Sequence, residues 1–303
     1  MSDAVATIDI KRILNEAVPR LLSSNASQLA KFNADLETFR ARTGIDPRSF
    51  DQLAVGVRFI NPSPNSTKAR TVAIARGTFN SASLMSAVRT APNSGAREES
   101  YNNQKIYIFK PTSPVNMPAA RAAARINEIA LTMLGADSLA FGDLESVRAA
   151  IDANKGSARV SPEMISLATR TPGALVGFGM NVPPSFADTI TRQNPDIGRT
   201  VSYVKQFYGS IGMTATGYNM LAFAHTGNAG QAQSLSDTLL GLLQLGKSFA
   251  PSLNGDMGKL AQNALNNLSV TTAGDTVQIK FDLAQSDIPM ILNLVNRPRQ
   301  QTP

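Results

Sequence analysis

No cysteine and no tryptophan occur among the 303 residues, and histidine occurs once, at His225. These absences remove whole classes of chemistry. Without cysteine there is no thiol nucleophile, no thiolate-held zinc or iron–sulfur cluster and no disulfide. One histidine cannot supply a site that needs two. Charge is also scarce: Asp, Glu, Lys and Arg make up 17% of the chain, against a usual share of about 25%. Ser, Thr, Asn and Gln take their place. No apolar run approaches the ~20 residues of a membrane-spanning helix. The longest, Leu239 to Gly246 (LLGLLQLG), is expected to be a buried core helix. The opening MSDAVATIDI carries neither the basic nor the apolar stretch of a secretory leader, so the chain is read as cytosolic or as the mature form of an exported protein.

What is present supports a globular protein. The hydrophobic fraction of 43% allows a sizeable core, and the length suits one large domain or two smaller ones. A cysteine-free chain fits an oxidising compartment, where a stray thiol is a liability. The net charge of +7 is unevenly placed: residues 1–160 hold 20 Lys/Arg against 14 Asp/Glu, and residues 161–303 hold 9 against 8. The excess in the first half, together with the polar stretches Asn61–Lys68, Ala91–Ser100 and Pro111–Pro118, points to an acidic protein or envelope component as partner. The alternative is that the charge only keeps the chain in solution. The basic residues are scattered and lack interleaved aromatics, which speaks against nucleic acid.

Periodicity predicts helices over Asp9–Arg42 (broken near Asn25), Phe79–Thr90, Ala119–Leu134, Leu144–Ala153, a stretch opening at Ser161-Pro162, Ser185–Gln193, Gln231–Ala250, Met257–Leu265 and a last one capped by Asp287. In Gln231–Ala250, Leu235, Leu239, Leu242, Gly246 and Phe249 form one stripe. Alternation predicts strands over Ala54–Ile60, Arg70–Thr78, Lys105–Lys110, Asp137–Gly142 and Ala174–Met180, and hairpins over Val204–His225 and Leu268–Leu283. Both halves run through hairpin, helix, then hairpin or strand, then helix. The expected fold is therefore α+β, with two pseudo-repeated lobes of mainly antiparallel sheet and helices mostly on one face. The expected lobes are residues 1–182 and 183–303, within one compact unit.

Few motifs carry chemistry. Ser202-Tyr203-Val204-Lys205 matches the S-x-x-K pattern of penicillin-binding proteins, and His225-Thr226-Gly227 resembles the companion K-T-G element. That pairing offers Ser202 as nucleophile and Lys205 as base. Against it, the pattern leads into a strand rather than opening a buried helix, and no S-D-N triplet separates the two elements. His225 ends an alternating strand, where a histidine with one satisfied hydrogen bond is the simpler reading than a general base. Asp143 and Glu145 sit at a helix start, where an N-cap and a dipole-facing carboxylate explain them. Glu98 and Glu99 are read as solvated. Gly177 and Gly179 lack the third glycine of a dinucleotide fingerprint. Arg121 and Arg125 share a helix face and could clamp an anion, but a solvated face explains them equally. No cofactor, metal or catalytic residue is expected.

The stretches FRARTGIDPRSFDQLAVGVRF (Phe39–Phe59), ARGTFNSASLMSAV and SLAFGDLESVRAAIDANKG (Ser138–Gly156) resemble a group of Ala-rich exported bacterial proteins with no assigned activity. The resemblance implies a periplasmic or envelope location and no reaction. The function expected from the sequence is non-catalytic: binding a partner or a hydrophobic ligand, or supporting the cell envelope. The alternatives are a serine hydrolase of penicillin-binding type using Ser202 and Lys205, and a periplasmic lipid carrier, which requires an apolar cavity.

Overall fold

A computed structural model describes residues 2–44, 46–63, 66–90, 96–110, 128–156, 160–184, 188, 191–192 and 194–296. The expected α+β fold with antiparallel sheet is what forms. The chain divides into two compact units, Met1–Pro19 with Ala26–Ile165, and Arg20–Asn25 with Ser166–Pro303.

In the first unit the strands are β1 (Ala4–Asp9), β2 (Phe50–Ser63), β3 (Ser66–Gly77), β4 (Arg97–Tyr101), β5 (Gln104–Phe109), β6 (Ile129–Met133) and β7 (Ser138–Gly142). They lie in the order β1-β2-β3-β7-β6-β5-β4, and every ladder between them is antiparallel. Strand alternation sends successive side chains to opposite faces. Ala130 therefore joins Ile106, Ile108, Val147 and Ile151 in one cluster under helix Leu144–Asn154. Its neighbour Leu131 joins Ala75, Leu84 and Leu139 in another, beside helix Ser81–Thr90. The β4–β5 turn is made by Asn102 and Asn103, both at positive φ (46° and 58°), the conformation a two-residue hairpin needs and asparagine tolerates.

Two expectations for this half are overturned, at Asn61–Lys68 and at Ala119–Leu134. Ahead of the first helix, β1 pairs with β2 from Ala4↔Val57 to Asp9↔Gln52. The helix then starts where predicted, with the Asp9 carboxylate accepting the amide of Arg12 at 2.9 Å. The stretch Asn61–Lys68 is mostly strand, because β2 and β3 run on to Ser63↔Ser66 past a register shift between Ile60 and Ser63; residues 64–65 lie outside the described residues. The predicted helix Ala119–Leu134 ends as strand β6. IALTM is a short apolar run that suits either state, and flanking β5 and β7 supply the ladder that decides it. Residues 119–127 of that helix lie outside the described residues, as do residues 91–95 of Ala91–Ser100, all of Pro111–Pro118 and the arginines Arg121 and Arg125. The helical segment Ala26–Thr43 stops at Gly44 (φ 69°), as the Thr43-Gly44 pair predicts.

In the second unit the strands are β8 (Val176–Asn181), β9 (Gln206–Thr214), β10 (Gly217–His225), β11 (Leu268–Ala273) and β12 (Thr276–Ala284), in the order β11-β12-β10-β9-β8, again antiparallel throughout. Both predicted hairpins form within a residue or two of their expected ends. Helix Ala229–Phe249 lays Ala232 and Leu235 on Ala224 and Val277, with Leu239, Val270 and Ile279 around them. Arg20 belongs here: its guanidinium donates to the carbonyls of Thr214 and Ala215, both at 2.6 Å, and its own carbonyl accepts from Gln285 Nε2 at 2.8 Å. It thereby ties the tip of the β9–β10 hairpin to the residue after β12. Most of the predicted helix Ser185–Gln193 lies outside the described residues.

Candidate functional site

Ser202 follows helix Pro195–Val201, and its Oγ donates to the carbonyl of Arg199 at 2.6 Å. Lys205 is exposed, and its amide donates to the carbonyl of His225 at 2.8 Å as the chain enters β9. The S-x-x-K spacing thus spans a helix end and a strand start. The serine hydroxyl bonds a local carbonyl, the common fate of serine at a helix terminus.

His225-Thr226-Gly227 serves as a structural joint. His225 Nδ1 stands 3.2 Å from Asp275 Oδ1 and 3.4 Å from Thr276 Oγ1, and Thr276 Oγ1 donates to Asp275 Oδ1 at 3.0 Å. Thr226 is buried; its hydroxyl lies 2.8 Å from the carbonyl of Asp275 and 2.9 Å from that of Asn228. Asn228 then caps the following helix through the amide of Gln231, while Gln231 Oε1 accepts the amide of Gly227. This reciprocal cap resembles a capping box. The polar groups of this motif are committed to holding the β11–β12 turn against the start of a helix.

The carboxylates are likewise engaged. Asp143 takes the N-cap position without a side-chain bond into its helix; its carboxylate accepts the amide of Thr71 instead. Glu145 pairs with Arg70, and Glu99 with Arg148. Partial desolvation pushes Glu98 up, but bonds from Lys105 and Arg89 outweigh it and hold the carboxyl below its ordinary range. Gly179 allows a close approach: a Cβ there would lie 2.6 Å from Cβ of Leu167. Among the described residues no group of three or more His, Asp or Glu could hold a metal ion, and no helix is long and apolar enough to cross a membrane.

What remains is apolar. The run LLGLLQLG is not a buried core helix. Leu243 is buried within it, but Leu240, Leu242 and Leu245 are exposed. The predicted stripe splits in the same way, with Leu235 in the core and Leu242 and Phe249 in solvent. Leu242, Leu245 and Phe249 recur at i, i+3 and i+7, so they share one helix face. The row continues along the chain through Leu253 and Met257, the latter on helix Gly255–Asn266. Phe249 is 63% exposed, Leu245 54% and Met257 53%. The two helices approach closely at Gly246, where a Cβ would be 3.2 Å from the Leu265 side chain. The expectation of burial holds for Leu243 and not for the row, because one packed face cannot cover every leucine of this helix. The signal was present: five leucines within Leu239–Leu245 surround too much of the helix for one packed face to cover.

No model of a known protein family matches this chain, and no curated protein matches it. Among solved structures, crystal form III of TP0453 aligns over 97% of this chain and 95% of that chain, at 9% identity and a TM-score of 0.49. Crystal form I of TP0453 aligns over 97% and 94%, at 10% identity and a TM-score of 0.46. These are likenesses in chain trace at very low identity, and the chemistry described above stands on this chain's own residues.

Proposed function

We propose that this protein is a non-catalytic binding protein of the bacterial envelope, and that it takes an apolar ligand on the helical face of Leu242, Leu245 and Phe249. The observation that carries this reading is the row itself. Single exposed leucines are ordinary, but a row of large apolar groups along one helix face is a characteristic of binding surfaces. The engagement of Ser202, Thr226, Asp143 and Glu98 in local bonds supports a role without catalysis. The cysteine-free, weakly charged composition supports a location outside the cytoplasm.

Titration of the full chain with a fluorescent fatty acid tests the ligand. Saturable binding is expected. Leu245→Asp and Phe249→Asp each weaken it by about tenfold or more, since burying one large apolar side chain is worth about 1.5–3 kcal/mol. Neither substitution should lower the melting temperature, because both side chains already stand in solvent. Absence of saturable binding, or binding indifferent to both substitutions, overturns the reading.

A further inference from the structure

The outermost strands of the two units meet solvent differently. β4 carries Arg97, Glu98 and Glu99, each in an ion pair: with Glu128, with Arg89 and Lys105, and with Arg148. Charge on an outer strand is a common protection against the addition of a foreign strand. β11 has none. It reads Leu268-Ser269-Val270-Thr271-Thr272-Ala273, without charge or proline, and its register against β12 is unbroken from Leu268↔Phe281 to Ala273↔Thr276. Straight, uncharged, β-branched strands of this kind are good templates for strand addition.

The hairpin decides which backbone groups of β11 face outward. The amide of Asp282 donates to the carbonyl of Asn267 at 3.2 Å. In an antiparallel pair, mutually bonded residues recur at every second position. Ser269, Thr271 and Ala273 therefore exchange bonds with β12, and Leu268, Val270 and Thr272 turn their N–H and C=O groups away from it. Among the described residues no strand pairs with that side. The side chains alternate in step: Ser269, Thr271 and Ala273 are exposed, while Val270 packs toward the helix-covered core.

We infer that β11 is a self-association edge, to which the β11 of a second copy of this chain adds antiparallel about a two-fold axis at Val270. In that register Leu268 faces Thr272 of the other copy, Val270 faces its own counterpart, and Ser269 faces Thr271. Every outward N–H and C=O of Leu268, Val270 and Thr272 finds a partner. Each residue also meets one whose side chain lies on the same face of the sheet, which antiparallel pairing requires. The absence of charge along this edge favours a second copy as the occupant. An uncharged edge gives a charged peptide nothing to recognise, while two identical neutral edges meet without opposing any charge. An isologous contact of this kind closes at a dimer and leaves no free β11 edge.

Sedimentation equilibrium of the full chain, from low to high micromolar concentration, tests this with two double variants at the exposed positions. Ser269→Lys/Thr271→Lys sets like charges opposite each other across the two-fold, and Ser269→Lys/Thr271→Glu sets unlike ones. The expected result is a monomer–dimer equilibrium in the unsubstituted chain, weakened by about tenfold or more in the first variant and retained in the second. Circular dichroism melting should show both variants folded, since the substituted side chains are exposed. A monomer at every concentration overturns the proposal, as does a like-charged variant that dimerises as tightly as the parent. Loss of the dimer in both variants overturns the register and the proposal with it.

Discussion

Thr71 and Asp143 are joined twice. The amide of Asp143 donates to the carbonyl of Thr71 at 3.0 Å, and the Asp143 carboxylate accepts the amide of Thr71 in return. Asp143 stands in the N-cap position of helix Leu144–Asn154, yet it makes no side-chain bond into that helix. Its side chain fastens the helix start to β3 instead.

Position 143 therefore separates two roles. If the aspartate were valuable as a cap, Asp143→Ser would preserve most of the stability, since serine caps about as well. Because it ties Thr71, Asp143→Ser should lose as much as Asp143→Ala, about 1.5–3 kcal/mol for a bond to a charged group. Urea denaturation of both variants reads this directly. Full recovery with serine would restore the capping explanation.

The buried hydroxyl of Thr226 shares its single proton between the carbonyls of Asp275 and Asn228. Thr226→Val keeps the shape and removes the hydroxyl, so it should destabilise the chain by about 1–3 kcal/mol. Thr226→Ser keeps the donor and should retain most of the stability. Thermal melts that rank the two variants equally would show that the hydroxyl contributes nothing.

Acid should weaken the first unit through identifiable carboxylates. Asp137 is held below its ordinary range by the hydroxyl of Ser138 and by Arg76, and Glu128 by the hydrogen bond from Arg97. Glu98 follows, with its desolvation outweighed by Lys105 and Arg89. A carboxyl whose folded pKa lies below its unfolded one binds fewer protons when folded. Its contribution is complete above the ordinary carboxylate range, about pH 4, and is lost as pH falls through the folded value. The urea midpoint should therefore drop as pH falls below about 4, and the drop should shrink in added salt because these pairs are exposed. Replacing Asp137, Glu128 and Glu98 by their amides should flatten that acid slope. An unchanged slope would assign the acid sensitivity to other groups.

The sequence alone determined the local elements. Alternation at Val204–His225 and Leu268–Leu283, the turn formers between those strands and Gly44 after a helical run are local signals, and each element formed where its signal stood. Absence was equally decisive: no arrangement of this chain in space can make a disulfide or a two-histidine site. Only the tertiary structure decided which side of an element finds a partner. IALTM became strand because β5 and β7 flank it. Asp143 became a tie because Thr71 arrives beside it, and Leu242, Leu245 and Phe249 remained in solvent because the sheet beneath covers only part of their helix. The physical reason is one of range. Propensity and periodicity act over a few neighbouring residues, whereas burial and ladder pairing depend on segments tens of residues apart, whose meeting no local pattern encodes.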